Sequence, residues 1–294
     1  MAWTDHHTIT AIRRRSRVMD VVVETLAGFS AHKTGRNGAV LTYYGFLTLF
    51  PLFLAATTIL GFVLDNRPDL YDDLVGSAVA QIPFIGEQIS SRSIDGSWWA
   101  LIIGLVAALW GSTKAFVGLQ VAYDDVWETP QEDRSNFVTQ RVRALIGLAV
   151  IGGSQIATVA LAALVSQASL PRLGQILIVL GGLAINVVVL ATMYRFLTSA
   201  EASWEAVWPG AAFAGALYTA IQLAGTALID RLTKSDTYGD MSTVLALLSW
   251  LSLHALINLI GAEINSALRR LRIGRDAATT LDSPMAAHAP LSDA

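Results

Sequence analysis

The sequence predicts an all-α membrane protein: six transmembrane helices, both termini cytoplasmic, an N-terminal interfacial amphipathic helix and short extracytoplasmic helices. Three observations predict it. First, 53% of the 294 residues are apolar before 23 glycines are counted, and only 15% are charged. Soluble domains carry about 25% charge. A soluble fold of this size lacks the charge to cover its surface, and such apolar content excludes a disordered chain. Second, charge-free windows run over 37–64, 96–113, 144–171, 173–194, 206–229 and 241–262. Each is about 18 residues or longer, the length a helix needs to cross roughly 30 Å of hydrocarbon. None alternates with period two, as spanning strands would. Third, six spans put fifteen of the lysines and arginines on the side of the termini and five on the other, which places that side in the cytoplasm.

Taken in order, residues 1–36 form a basic cytoplasmic lead-in. Ile12, Val18, Val22, Leu26 and Phe29 recur at near-helical spacing beside Arg13, Arg14, Arg15 and Arg17. That pattern suits a helix lying on an anionic leaflet, with Arg14 and Arg17 as headgroup contacts. The first apolar window starts too far from the basic cluster, and is too long, for a signal peptide. Within a transmembrane domain of 37–270, the spans are expected at 40–64, 98–118, 142–165, 175–197, 207–229 and 241–265. Trp98 and Trp99 open the second span, and Trp204 and Trp208 the fifth, as interfacial anchors do. The outer connection 66–97 holds two short amphipathic stretches broken by Pro83 and is a candidate docking surface for an envelope protein. Residues 271–294 read as a disordered cytoplasmic tail.

Polar residues at membrane depth turn toward other helices or a cavity, because facing lipid is costly. In the first span Tyr44, Thr48 and Pro51 share a face, and Pro51 removes a backbone donor. The fourth span brings Asn186 and the fifth Gln222, while the sixth brings His254 and Asn258, with Glu263 nearer its cytoplasmic end. These eight are the candidate pathway-lining residues; interhelical hydrogen bonding is the alternative role for each. Glu263 is expected to pair with Lys114 or an arginine. Lys114 and Arg195 read as snorkelling anchors and as candidate contacts to anionic headgroups. Gly210 with Ala214, and Ala211 with Gly215, are small residues spaced for close helix packing. A homo-oligomer is among the expected assemblies, alongside membrane lipids as partners.

Much chemistry is missing. The chain has no cysteine, so no disulfide or thiolate site exists. It has no H-E-x-x-H, G-x-S-x-G or P-loop. Asp124, Asp125, Glu128, Glu132 and Asp133 lack the glycine and spacing of a calcium loop and read as a solvated turn. No catalytic residue, metal or cofactor is expected. A net charge of −3 gives no basic field for nucleic acid.

Four blocks carry a family resemblance over about 20–270: Ala39, Tyr43, Tyr44, Thr48 to Pro51; Leu109 to Ser112 with Tyr123 to Trp127; Trp208 to Ala211; and Tyr238, Gly239, Trp250 and Gly261 to Asn265. Their order and spacing resemble the YihY/BrkB family of bacterial inner-membrane proteins, particularly its YhjD-like branch. Asp124 stands where the family commonly has Asn. The resemblance implies a multi-pass inner-membrane protein linked to envelope integrity, with an old ribonuclease BN label that the absent catalytic residues oppose. The functional expectation is a transporter or flippase-like protein for an envelope lipid or related amphipathic anion. The alternative is a non-transporting scaffold that docks envelope or lipid-transfer partners.

Overall fold

The computed structural model of the chain describes residues 16–63, 98–167, 171–233 and 241–281. Among these there is no strand. The elements are α1 (Arg17–Ala31), α2 (Thr34–Val63), α3 (Trp98–Val126), a 3₁₀ turn (Gln131–Asp133), α4 (Phe137–Gln167), α5 (Pro171–Phe196), α6 (Trp204–Thr233) and α7 (Met241–Leu281). Each charge-free window thus lies within, or largely within, one long helix. The segments Ile102–Val126, Leu173–Phe196 and Val244–Ile273 are long and apolar enough to cross a membrane. Helices α2, α4 and α6 have 30, 31 and 30 residues. At 1.5 Å per residue, such helices reach about 45 Å.

The long helices pack as sequence neighbours, and α7 returns to α2, so the six close into a ring. Glu263 of α7 meets Thr34 at the start of α2, and Asp124 near the end of α3 meets Thr198 just after α5. One end of the ring therefore gathers the polar connections. Helix α1 lies at that end, against α7 and α2. The side chain of Ser16 caps it by accepting the Val18 N–H at 3.2 Å. The buried face of α1 is Thr25 and Gly28, whereas Val18, Met19, Val22 and Leu26 are exposed. The helix is inverted relative to a soluble surface helix, with small and polar residues inward and apolar ones outward.

Small residues set the crossing of α6 and α7. A Cβ on Gly261 would collide with Tyr194 Oη and lie 2.8 Å from the Gly210 carbonyl oxygen and 3.0 Å from Ala214 Cβ. One on Gly210 would collide with the Gly261 carbonyl. Gly215 does the same work toward α5, where its Cβ would lie 3.1 Å from the Val187 nitrogen. The spaced glycines and alanines of α6 are thus used within the chain. Pro209 sits inside α6. Asn265, fully buried on α7, accepts the Gly210 N–H at 2.7 Å and donates to the Val207 carbonyl at 3.1 Å. It supports the backbone on both sides of the proline.

Two boundaries differ from expectation. Helix α7 runs to Leu281, so 271–281 is helical where a disordered tail was expected. Helical propensity continues there through Ala277, Ala278 and charged residues, and the apolar window alone did not mark the end. Helix α1 starts at Arg17, leaving Ile12 to Arg15 outside the described residues, together with the expected outer helices of 66–97.

Gly261→Ala should overpack the crossing and cost about 1–3 kcal/mol, read as a lower melting temperature in detergent. Gly182→Ala, whose Cβ would meet nothing within 4 Å, should leave melting unchanged.

Candidate functional site

Inside the ring is a cavity of about 360 Å³ to which all six long helices contribute. Leu41 comes from α2, Phe116 and Leu119 from α3, Ile151 and Ser154 from α4, Asn186 and Met193 from α5, Tyr218 and Gln222 from α6, and His254 and Asn258 from α7. No charged residue is among its described lining. The polar groups are held. Asn186 Nδ2 donates to Thr219 Oγ1 at 3.2 Å and to Gln222 Oε1 at 3.3 Å, tying α5 to α6. His254 Nδ1 lies 2.9 Å from the Trp250 carbonyl, so we assign it the proton. Nε2 is the ring's second hydrogen-bonding nitrogen. Tyr218 and Trp250 stand against the imidazole, with centroids at 4.9 and 4.7 Å.

Toward the polar end, a layer of tyrosines adjoins the cavity. Tyr123 donates to Asn258 Oδ1 at 2.6 Å, and Tyr194 donates to the Asn258 carbonyl at 2.7 Å. The two rings meet edge to face at 5.4 Å. Both residues are fully buried. Tyr218 donates to the His254 carbonyl at 2.7 Å. Three tyrosines on three helices therefore converge on two successive turns of α7. Of these, Tyr218 lies four residues before Gln222 and so shares its helix face. Tyr123 and Tyr194 carry no such signal, because the contacts to Asn258 span 135 and 64 residues.

The structure brings four of the eight candidate residues to this cavity: Asn186, Gln222, His254 and Asn258. Tyr44, Thr48 and Glu263 go elsewhere. Thr48 donates to the Tyr44 carbonyl at 2.7 Å and packs on Gly111 of α3. Tyr44 stacks edge to face with Tyr43 at 5.5 Å. Pro51 lies in α2, with its side chain outside the described residues. Glu263 sits at the polar end, outside the cavity lining.

Glu263 is fully buried. It does not pair with Lys114. Thr34 Oγ1 donates to its Oε1 at 2.6 Å, and His32 Nδ1 lies 3.0 Å from the same oxygen. His32 Nε2 lies 3.5 Å from Glu128 Oε1. Arg270 joins Glu128 at 3.1 Å and Glu24 at 3.0 Å. Gly28 leaves room for this carboxylate, since a Cβ would collide with Glu263 Oε2 and the side chain would have to shift. The non-glycine residues with positive φ among those described, Lys33 and Glu128, both border this cluster. Their left-handed turns cost about 1 kcal/mol or more each; the Lys33 turn sets His32 and Thr34 on one carboxylate.

The remaining charges follow. Asp124 is buried rather than solvated: its Oδ1 accepts the Ser199 N–H at 2.6 Å and Thr198 Oγ1 at 3.1 Å, and its Oδ2 accepts Ser199 Oγ at 3.0 Å. Both oxygens act as acceptors, which an asparagine at this position could not match. Asp125 pairs with Arg134 at 2.9 Å. Lys114 lies over the Trp110 ring at 5.6 Å, and Arg195 over Trp204 at 4.5 Å. Arg17 is exposed at the start of α1, and Arg14 lies outside the described residues, as does the connection 66–97.

The Glu263 hydrogen bond holds the His32 pKa above its ordinary 6.5; the charges of Glu263 and Glu128 add to this, while burial and Arg270 oppose it. A raised folded-state value means the protonated pair stabilises fully below 6.5 and is lost as pH rises through that raised value. Melting temperature in detergent should fall across that window, and His32→Gln should flatten the fall. Equal falls in both proteins would assign the effect to another group.

Comparison with known proteins bears on this arrangement. The chain is 20% identical over 268 residues to "Putative ribonuclease-like protein YfkH" of Bacillus subtilis (strain 168), covering 86% of this chain and 96% of the relative. It is 24% identical over 149 residues to "Inner membrane protein YhjD" of Escherichia coli (strain K12), covering 46% of this chain and 43% of that one. No solved structure matches. The sequence model of the Virulence factor BrkB family matches residues 25–285. That match runs from within α1 to beyond the end of α7, so it takes in the ring, the cavity and the Glu263 cluster, and the chain belongs to the Virulence factor BrkB family.

Proposed function

We propose that the chain is a six-span, inner-membrane transporter or flippase-like protein that moves an amphipathic envelope lipid, with both termini in the cytoplasm. The observation that carries the reading is the cavity: six long helices each contribute to its wall, and amides and an imidazole line it among apolar side chains. A cargo there would meet hydrogen-bonding groups and apolar surface. No lysine or arginine of the described lining would pair with an anion, so a lipid with an uncharged polar portion fits better than a small anion. The likeness to an inner membrane protein of Escherichia coli supports the inner membrane.

Orientation is testable without background, because the chain has no cysteine. Ser93→Cys should react with an impermeant maleimide on intact cells. Ser16→Cys and Ser203→Cys should react only after permeabilisation; labelling of either from outside overturns the orientation. For transport, vesicles of phosphatidylcholine with a fluorescent phospholipid report movement between leaflets through quenching by an external reductant. The wild type should accelerate quenching. His254→Ala and Gln222→Leu should slow it by about tenfold, the effect of roughly 1.4 kcal/mol on a barrier. No acceleration by the folded wild type would overturn transport and favour the scaffold.

A further inference from the structure

A second pocket lies outside the ring cavity, at the polar end, where the start of α4 meets the connection from α5 to α6. Its volume is about 770 Å³. Two guanidiniums line it, Arg143 and Arg195. Neither has a carboxylate partner within ion-pair distance among the described residues.

The pocket is built rather than incidental. Arg143 Nη1 donates to Ser135 Oγ at 2.6 Å and to the Thr198 carbonyl at 3.0 Å. The 198–199 turn is in turn fixed by buried Asp124, through the Ser199 N–H and hydroxyl. Arg195 is held differently, with its guanidinium over Trp204 at 4.5 Å and over Phe196 at 5.7 Å. Stacking occupies the faces of a guanidinium and leaves its N–H edges free for an oxyanion. Glu201 also lines the pocket and is exposed; the two guanidiniums are the cations of the lining, with buried Asp124 behind the 198–199 turn. Beside the guanidiniums, Ile146 and Phe196 line the pocket and are each 49% exposed. Charge above and bare apolar surface beside it form a pair of contacts that one molecule can satisfy.

We propose that this pocket holds the phosphodiester headgroup of an anionic phospholipid, with Arg195 and Arg143 on the phosphate and the acyl chain along Ile146 and Phe196. A planar donor fork suits phosphate oxygens, and Trp204 sits where an interfacial aromatic belongs. This rests on the membrane-spanning reading of the helices and requires no transport. Sequence reasoning reached Arg195 and missed Arg143, whose role depends on Ser135 and Thr198 lying nearby in space.

The test is lipid retention by the full chain, reconstituted in nanodiscs of phosphatidylcholine with a minor share of phosphatidylglycerol and read by native mass spectrometry after release. The wild type should retain phosphatidylglycerol in preference. Arg195→Gln should cut that preference about tenfold, the scale of a charge-assisted hydrogen bond. Glu201→Gln should raise it about twofold. Arg141→Gln is the control: Arg141 is stacked over Trp110 and Phe137 at 5.4 and 5.0 Å and is outside this pocket. It should leave the preference unchanged. Equal losses in the Arg195 and Arg141 variants, or no preference in the wild type, would overturn the site. Displacement of the lipid by millimolar inorganic phosphate would overturn the lipid assignment in favour of a free anion. Retention is an equilibrium reading, so it stands apart from any failure of the flux assay; failure of the spanning reading appears separately in the maleimide labelling.

Discussion

A carboxylate taken wholly out of water must be met by donors, and Glu263 imposes that condition on one end of this protein. Its partners come from Thr34 and His32, more than two hundred residues away in sequence. Meeting them brings α1 into α2 through a left-handed Lys33 and brings Gly28 against the carboxylate. Arg270 and Glu128 then join the cluster, linking the end of α3 to α7 and, through Glu24, to α1. The buried charge thus fixes where the ring closes, because α2 and α7 are the first and last of its members.

The same condition acts more gently along the rest of the ring. Among the described residues, polar side chains within the helices bond back to their own turn, as Thr42, Thr48 and Thr158 do, or cross to a neighbour, as Asn186 does. The second group marks the interior. It gathers around the cavity because a carbonyl of α7 that accepts a tyrosine hydroxyl gains a partner without leaving its helix. Close contact elsewhere is supplied by glycine: the α6–α7 crossing has backbone against backbone, which brings His254 and Asn258 beside Tyr218.

The two polar ends of this logic serve different purposes. In the cavity the groups are amides, hydroxyls and an imidazole, which offer hydrogen bonds to something that fits among apolar walls. In the outer pocket they are guanidiniums, oriented by a serine, a backbone carbonyl and two aromatic rings. An apolar face of α1 is also bare, with Val18 69% and Leu26 54% exposed, while its polar face is used against α7. Outward apolar surface on a helix of charged flanks suits the boundary of a bilayer.

By itself the sequence determined the helices and their order, because charge-free length is a local property that water and hydrocarbon read directly. It also marked Asn186, Gln222, His254 and Asn258, since a lone polar residue in an apolar helix stands out against its neighbours. It misplaced Glu263, treated Asp124 as solvated, and separated His32 and Arg143 from any role. Each of those depends on a partner distant along the chain, and spacing carries no record of such pairs. The end of α7 was misjudged for a related reason, as its last turns lie beyond the apolar window. Which polar groups share a cavity, which anchor a connection and which remain open to a ligand were decided by tertiary structure, because hydrogen bonds and burial are set by distance in space.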